Sequence, residues 1–439
     1  MLIKEFTHNG TPTKFQKATH CFPFTQFQSP LFGIFSGIIV CRDDFDRITQ
    51  KGAHCHRGDD TVPNLKDLKD AIPKECFDSS AVTSLLYVAR DILYCAILTY
   101  AAFHIYLLPT LELRIIAWAV YGFFQGCVGT GLWILAHECG HGAFSRHQKL
   151  NDFVGWALHS FLMVPYFSWK ITHARHHRYT GNMEKDTVFV PWTDSQLAKK
   201  KNVRIEQLKH LTEETPIVSF VHLIGHQLMG WQLYLFLNVT AGPKSLPENR
   251  PLKGVSSHFN PFGDIFTRAQ WVSIALSDLG LLIMGSVLYY ASTQIGGWNV
   301  VLLYLIPYLW VHHWLIAITY LQHTHPAVPH YSAETWTYTK GALATIDRSI
   351  GFIGRHFFHE IIDYHVVHHL FSRIPFYHAE KATHAIQPLL GANYHEEKQE
   401  SFLYSLWTTF RKCIYVSEKG HGHNEAPGVL HFVIPNESK

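Results

Sequence analysis

The distribution of apolar and polar residues along the chain predicts four transmembrane helices arranged as two hairpins. Apolar runs of bilayer-spanning length occupy residues 92–109, 115–135, 271–291 and 300–320. Short connectors join the first two runs and the last two runs, and the run at 115–135 contains no charged residue. The pattern therefore predicts an all-α, polytopic membrane protein with about four transmembrane helices.

Eight histidines form three clusters, which lie next to these predicted helices or between them. The clusters are HECGH at 137–141, HARHH at 173–177 and HVVHH at 365–369. On a helix, residues i and i+4, or i, i+3 and i+4, share one face, so each cluster predicts one turn that points two or three ring nitrogens the same way. Neutral imidazole is the commonest nitrogen ligand of transition metals, and eight ligands suit two ions better than one. The candidate ligands are His137, His141, His173, His176, His177, His365, His368 and His369.

Two further apolar stretches, at 153–167 and 217–239, are ambiguous because His, Gln or Pro interrupts each of them. A single extra crossing would put the third cluster on the opposite side of the membrane from the first two. A shared metal site forbids that, so both stretches span or neither does, and we interpret them as interfacial helices. Fifteen Lys and Arg residues lie between 137 and 270 and none between 292 and 299. The positive-inside rule then predicts a cytosolic helical cap that holds all three clusters.

The composition of the chain also indicates a reducing, cytosol-facing environment. The chain of 439 residues is 47% hydrophobic and 16% charged, and its net charge of +3 does not indicate nucleic-acid binding. Its eight cysteines contain no CxxC pair, so neither a disulfide framework nor a zinc ribbon is indicated. The pattern predicts a variable cytosolic extension at 1–60, a membrane domain at 61–415 and a polar tail at 416–439.

Two other classes of protein have to be weighed against a metal centre with two ions. The sequence His137-Glu138-Cys139-Gly140-His141 also matches the HExxH motif of zinc hydrolases, in which the Glu acts as general base. That motif needs one further ligand and leaves most of the clustered histidines unexplained. A non-enzymatic receptor or a metal transporter is the third class, but transporters place ionisable ligands inside the bilayer, whereas these clusters lie outside the predicted helices.

Longer stretches around the clusters resemble the membrane fatty acid desaturases, in particular the Δ12 (oleate) and ω3 acyl-lipid branch and its fungal members. The resemblance covers roughly residues 61–400 and is carried by four segments: WILAHECGHGAFS (133–145), VPYFSWKITHARHHRYTGNMEKDTVFVP (164–191), YLQHTHPAVPHY (320–331) and GALATIDRSIGFIGRHFFHEIIDYHVVHHLFSRIPFYHAEKAT (341–383).

The resemblance implies that the eight clustered histidines bind two irons and that one more histidine after the last transmembrane helix completes the set. His323 is our choice for that position over His325. Metal-bound histidines usually donate their second N–H to a carboxylate or carbonyl, which makes Asp186 and Asp363 candidate partners. Burial of His312 and His313 within the last predicted helix suggests an additional ligand or a channel position. A structural or supporting role is predicted for Glu138, which points away from the face shared by His137 and His141.

The reaction implied by the resemblance is oxygen-dependent removal of two hydrogens from adjacent methylenes of an acyl chain, which leaves a cis double bond. Electrons would come from cytochrome b5 and its NADH-dependent reductase, and O2 is the co-substrate. The chain contains no His-Pro-Gly-Gly haem motif, so cytochrome b5 is expected to be a separate partner. The expected substrate is an oleoyl phospholipid in the endoplasmic reticulum membrane, with the metal site and both termini cytosolic. Whether the chain forms a homodimer stays open.

Two positions depart from the family pattern and keep the product open. Gly142 stands where relatives often carry Gln or His, and Tyr364 replaces a common Thr just before the third cluster. Residues beside that cluster bear on product outcome in the family. An ω3 desaturase, a fatty acid hydroxylase and an acetylenase therefore remain alternatives to Δ12 desaturation.

Overall fold

The computed structural model describes residues 62–211, 215–251, 256–419 and 426–434. Most of these residues are helical. The α-helices are α1 (Leu65–Ala71), α2 (Ala81–Ala102), α3 (Leu111–His141), α4 (Gln148–Phe161), α5 (Tyr166–Tyr179), α6 (Asp194–Lys201), α7 (Ile205–Leu211), α8 (Pro216–Leu237), α9 (Trp271–Ile295), α10 (Gly297–Val300), α11 (Ile306–His323), α12 (Tyr338–Ala342), α13 (His365–Leu370), α14 (Ala379–Leu390) and α15 (Phe402–Lys412). The extension predicted at 1–60 lies outside the described residues.

Four helical segments are long and apolar enough to cross a membrane, which confirms the predicted number. They are Ala81–Leu107, Leu111–His141, Arg268–Ile295 and Gly297–His323. The first begins 11 residues before the predicted start, at 81 rather than 92, and so includes Arg90 and Asp91. Asp91 is buried, but His359 Nε2 lies 2.9 Å from its Oδ2 and Arg90 Nε donates to its Oδ1 at 2.9 Å. These partners offset the cost of burying the carboxylate, so a charge that the pattern places outside the helix is accommodated inside it.

The connector predicted at 292–299 is almost entirely helical in the structure. Helix α9 continues to Ile295, and α10 begins at Gly297. Only Gly296 separates them, with a φ of 85°, a left-handed value that glycine adopts without a steric penalty. The last two transmembrane segments therefore form a tighter hairpin than the apolar pattern predicts.

Helix α3 is the central helix of the membrane domain. Its 31 residues extend about 46 Å at about 1.5 Å per residue, more than the roughly 30 Å of a hydrocarbon core. The excess length carries the HECGH cluster on the same continuous helix, as its position just after the second apolar run predicts. Gly122, Gly126 and Gly129 face Ile306, Trp310 and Val311 of the last transmembrane segment, so the two helices approach closely.

The two ambiguous apolar stretches are not among the four membrane-spanning segments found in the described residues. The stretch at 153–167 is divided between α4 and α5, with Pro165 at the start of α5. The stretch at 217–239 forms the single helix α8, which buries Leu223 and Trp231 against the domain and leaves Ile224 and Leu228 exposed. Both stretches are thus largely helical.

Short strands close the cap, and the sequence pattern did not predict them. They are β1 (Trp192–Thr193), β2 (His330–Tyr331), β3 (Asp347–Arg348), β4 (Glu396–Glu397), β5 (Tyr415–Ser417) and β6 (Val429–Phe432). One sheet has the order β1-β5-β6-β2, in which β1 and β5 are parallel and the other pairs are antiparallel, and β3 pairs in parallel with β4. The segment predicted as a polar tail from residue 416 thus contains a paired strand with Leu430 and Phe432 buried.

Gly131 of α3 offers a test of this packing. A Cβ at this position would overlap the backbone carbonyl of Phe357 and lie 2.9 Å from Asp91 Oδ2. We expect Gly131→Ala to destabilise the protein by about 1–3 kcal/mol, the usual cost of overpacking. Gly285→Ala is the matched control because its Cβ would meet no atom within 4 Å. Thermal unfolding in detergent, followed by size exclusion, should give a lower Tm for Gly131→Ala only. Equal melting of both variants would contradict the close contact between α3 and Phe357.

Candidate metal centre

The first histidine cluster ends helix α3. His137 and His141 are four residues apart on the last turn, and their Nε2 atoms lie 3.2 Å apart. Gly142 terminates the helix with a φ of 74° and donates its backbone N–H to Cys139 O. A left-handed helix cap favours glycine, which gives a physical reason for glycine at this position, where the family often has Gln or His.

The second cluster lies on α5 and is divided between two directions. The Nε2 atoms of His173 and His177 are 3.1 Å apart, as expected for positions i and i+4. His176 points elsewhere, with its Nε2 3.3 Å from Nε2 of His323 at the end of α11. Two of the three rings, those of His173 and His177, thus point the same way, and the ring of His176 points to another group. Positions i+3 and i+4 are about 100° apart around a helix, which is enough for them to face different neighbours.

The third cluster divides in the complementary way on α13. His365 Nε2 lies 3.1 Å from His323 Nε2, and the ring centroids of His365 and His369 are 4.5 Å apart. The ring of His368 instead packs against His137 and His141, with centroid distances of 4.7 and 4.8 Å. In both α5 and α13 the middle histidine thus turns away from the outer two.

The clustered histidines assemble into two groups in which nitrogen atoms lie within 4.8 Å of one another. The first group contains His137, His141, His173, His177 and His368. The second contains His176, His323 and His369, and His365 adjoins it through His323. Each of α5 and α13 contributes to both groups. The stacked rings of His177 and His369, with centroids 4.0 Å apart, join one group to the other.

The spacing of the nitrogens fits bound metal ions. Metal–imidazole bonds are about 2.0–2.1 Å long, so neighbouring ligands of one ion are about 2.9–3.4 Å apart. The four Nε2–Nε2 distances in the two groups are 3.1, 3.1, 3.2 and 3.3 Å. In addition, the Nε2 atoms of His368 and His369 are buried without a hydrogen-bond partner among the described residues. Buried nitrogens without a partner are costly, and an ion would satisfy them.

Burial also favours the neutral, ligating form of the imidazoles outside the membrane-spanning helices. Desolvation, followed by neighbouring imidazoles, lowers the pKa values of His173, His177, His365 and His369 well below their usual value. For His368 the cause is again burial first and then His137 and His176. A lowered pKa keeps each ring uncharged at neutral pH, so its lone pair is available to a metal.

Hydrogen bonds from Nδ1 fix two of the rings. His176 Nδ1 donates to Asp186 Oδ1 at 2.7 Å. Asp186 Oδ2 accepts from the backbone N–H of Gly181, which holds the carboxylate in place. The hydroxyl of Thr180 donates to His176 O at 2.7 Å and therefore accepts from His369 Nδ1, 3.1 Å away. In both rings a donated Nδ1–H leaves Nε2 as the free donor atom for a metal.

Asp363 does not support a ring in this way. Among the described residues neither its Oδ2 nor Nδ1 of His365 has a hydrogen-bond partner, and its nearest cation is Arg355 at 3.8 Å. The predicted pairing of Asp363 with His365 is thus not found.

Glu138 is buried with its Oε1 3.5 Å from His137 Nδ1 and its Oε2 accepting from Phe376 N. Its second oxygen therefore holds the chain that follows the third cluster.

Asp347 and Arg348 position the ends of α13 and α11, and the sequence analysis missed them. Val366 N donates to Asp347 Oδ1 at 2.8 Å, and the Tyr394 hydroxyl donates to Oδ2 at 2.6 Å. Arg348 Nε donates to Leu321 O, two residues before His323. The available signal was an adjacent pair of opposite charges directly after the uncharged segment 341–346.

The other candidate histidines lie outside both groups. His325 follows the end of α11, and its Nδ1 accepts from Ala327 N at 3.1 Å. Nδ1 of His312 lies 2.8 Å from Nε2 of Gln232. The ring of His313 packs against Trp310 and Trp314. The geometry therefore favours His323 over these three as the ninth ligand.

A cavity of about 250 Å³ adjoins both groups and is walled by α3, α5, α8 and α11. His137 and His173 of the first group line it, as do His176, His323 and His365 of the second. The remaining wall is mainly apolar, with residues such as Trp133, Ile134, Trp231, Leu315 and Ile316. The hydroxyls of Thr130 and Thr319 donate to carbonyls of their own helices. Trp133 Nε1, Trp231 Nε1 and Gln322 Oε1, which belong to residues of this lining, are buried without a hydrogen-bond partner among the described residues. An extended apolar ligand in the cavity would lie beside the nitrogens of both groups.

Comparison with known proteins identifies relatives over most of the chain. Residues 115–400 match the family model described as fatty acid desaturase. An oleate hydroxylase of Claviceps purpurea is 43% identical over 84% of this chain and 80% of its own length. A Δ12 fatty acid desaturase of Mortierella alpina is 42% identical over 81% of this chain and 88% of its own length. A Δ12-oleate desaturase of Trichosanthes kirilowii is 41% identical over 80% of this chain and 90% of its own length.

Thr180 provides a test of the geometry at His369. Thr180→Val removes the oxygen that accepts from His369 Nδ1 while keeping the side-chain shape. Loss of such a supporting contact typically lowers metal affinity by about 10–100-fold, and we expect a loss in that range. Thr180→Ser is the matched control because it keeps the hydroxyl. Metal retained after graded chelator treatment, measured by mass spectrometry, should fall for Thr180→Val alone. Equal retention in both variants would exclude Thr180 as a support of the site.

Proposed function

Because the chain belongs to the fatty acid desaturase family, we propose that it is an acyl-lipid desaturase that converts oleoyl to linoleoyl chains by Δ12 desaturation. The single observation that carries the proposal is the pair of imidazole groups at one apolar cavity. The Δ12 assignment takes support from the names of the relatives in Mortierella and Trichosanthes.

The proposed cofactor is a pair of iron ions with nine histidine ligands. His137, His141, His173, His177 and His368 would hold one ion. His176, His323, His365 and His369 would hold the other. When bound, the irons supply the activation of O2 that cleavage of an unactivated C–H bond requires. The ligand set offers no carboxylate within either group, and imidazole alone does not select among iron, copper and zinc. Iron is therefore assigned through the family.

The protein's own part in the reaction is to position the acyl chain and exclude water. The side chains of Trp133, Ile134 and Ile316 hold the chain by apolar contact, since a methylene offers no group for hydrogen bonding. When the reacting carbon lacks any activating group, correct positioning of the acyl chain supplies a large part of the lowering of the activation free energy. Asp186 and Thr180 keep two ligand rings oriented through their Nδ1 atoms.

Hydroxylation of the same chain is the second candidate. The relative from Claviceps is an oleate hydroxylase, and another from Ricinus communis is an oleoyl-12-hydroxylase at 40% identity. Both outcomes start from removal of one hydrogen at the same methylene, so the placement of the second carbon would decide between them. Tyr364, which precedes α13, lies beside the third cluster with Lys398 Nζ 5.5 Å from its ring centroid.

A zinc hydrolase fits the geometry poorly. The Glu of HExxH would have to face a metal-bound water, but Glu138 is buried and one of its oxygens accepts from Phe376 N. A zinc hydrolase mechanism would also leave the second group of histidines without a role.

We further propose that the enzyme resides in the endoplasmic reticulum membrane with its metal centre and termini in the cytosol. The excess of Lys and Arg between 137 and 270 supports this orientation. Cytochrome b5 and its NADH-dependent reductase would be separate partners. The basic end of α6, Lys199 to Lys201, is one exposed cationic segment suited to steering an acidic electron donor.

The proposed activity can be tested by expressing the full chain in a yeast that lacks polyunsaturated fatty acids. Gas chromatography–mass spectrometry should reveal linoleate, and metal analysis of the purified protein should give about two irons per chain. His323→Ala should abolish the product, while His325→Ala should retain it because His325 lies outside both groups. If the product is instead hydroxylated oleate, the enzyme is a hydroxylase, which is the second candidate. Bound zinc and no new lipid would overturn the proposal.

A further inference from the structure

The cavity beside the metal centre reaches the protein surface along one helix. Of the described residues that line it, those that are largely exposed are Gly225, Leu233 and Val239. The first two lie on α8 and the third lies two residues beyond its end. The lining contributed by α3, α5 and α11 is buried or half-buried. The opening of the cavity is thus formed by α8 and the residue Val239, and we refer to these three residues as the α8 rim.

The surface around the α8 rim is apolar. Helix α8 contains no Asp, Glu, Lys or Arg in its 22 residues. Five of its outward side chains are exposed by 43–61%: Val221, Ile224, Leu228, Met229 and Phe236. A continuous apolar surface of this kind in water would favour aggregation, whereas in contact with lipid hydrocarbon it is stable.

Helix α8 packs along a membrane-spanning segment, which brings this surface to the bilayer. Gly230 faces Ile316, and a Cβ there would lie 3.2 Å from its Cδ1. Gln232 Nε2 lies 2.8 Å from His312 Nδ1, and the rings of His226 and Tyr320 are 5.1 Å apart. Residue numbers rise along α8 as they fall along α11, so the two helices are antiparallel. Because α11 belongs to the last transmembrane segment, the outer face of α8 is suited to contact hydrocarbon.

We infer that the acyl chain enters the cavity sideways from the bilayer, through an opening at the α8 rim that Gly225 keeps clear. This inference rests on the proposed function and adds the route and a residue that controls it. The occupant is the acyl chain of a bilayer lipid whose headgroup stays at the membrane surface. Transfer from hydrocarbon into an apolar cavity avoids the free-energy cost of exposing each CH2 group to water.

Gly225 is the controlling position because it combines a place in the cavity wall with open space. A Cβ at Gly225 would meet no heavy atom within 4 Å, so nothing in the fold requires glycine there for packing. Its φ is not in the left-handed region, so backbone conformation does not require glycine either. Glycine in a helix interior destabilises the helix relative to alanine. An unneeded glycine at the rim is explained if a side chain there would obstruct the opening.

The decisive variant is Gly225→Trp, with Gly285→Trp as the matched control. Gly285 of α9 also has open space around its Cβ, but it does not line the cavity. We expect Gly225→Trp in the full chain to reduce product per amount of protein by about tenfold or more, because a blocked acyl chain cannot be positioned. Gly285→Trp should stay near the wild-type rate. Iron content and thermal unfolding should be unchanged in both variants, which separates a blocked route from a damaged fold.

Undiminished activity of Gly225→Trp with normal iron content would overturn the route. A wild-type chain that makes no new lipid would instead count against the proposed function.

A second measurement tests the route without relying on activity. A photoreactive phenylalanine analogue at position 233, in full-length protein reconstituted in phosphatidylcholine vesicles, should form adducts with lipid acyl chains that mass spectrometry detects. The same analogue at position 199, on the charged and exposed end of α6, is the control and should form none. Absence of lipid adducts at position 233 would exclude contact between the α8 rim and the bilayer, whatever the enzyme produces.

Discussion

The structure depends on holding nine imidazoles together inside a largely dehydrated space. Nitrogen lone pairs face one another at 3.1–3.3 Å, a distance at which they repel unless a positive charge or a shared proton lies between them. The fold supplies the rigidity for this arrangement. Helix α3 and the last transmembrane segment pack at glycine positions, and each carries histidines of the two groups at its end. Asp186, Thr180, Asp347 and Arg348 then fix the segments between those ends.

Much of this architecture was predictable because it follows from two strong periodic signals. Apolar runs of bilayer length gave the four membrane-spanning segments, and histidines at helical spacing gave the candidate ligands. The exact limits of the helices were less predictable. Asp91 shows why: its buried contact with His359 comes from a residue distant in sequence, so a charged pair that looks like a helix boundary lies within α2.

The division of each HxxHH cluster between two groups could not be predicted from spacing. Helical periodicity places His173, His176 and His177 on one broad face, but which neighbour each ring meets depends on how α5 and α13 pack. The same limit applies to Asp363, which is close to His365 in sequence but does not bond to it, and to Asp347, which is distant but holds the first turn of α13. Short strands such as β5 and β6 escaped prediction because tertiary pairing, more than local pattern, defines strands of three or four residues.

Helices α5 and α13 each contribute histidines to both groups, which has a consequence for the order in which the groups form during synthesis. The first group needs His368 as well as ligands from α3 and α5, and the second needs His369 as well as His176 and His323. The first group is complete only once the ribosome has reached residue 368 and the second only at residue 369, after the four membrane-spanning segments found in the described residues have been synthesised. Assembly of both histidine groups therefore waits for a segment of the cap that is made after the membrane-spanning part of the chain.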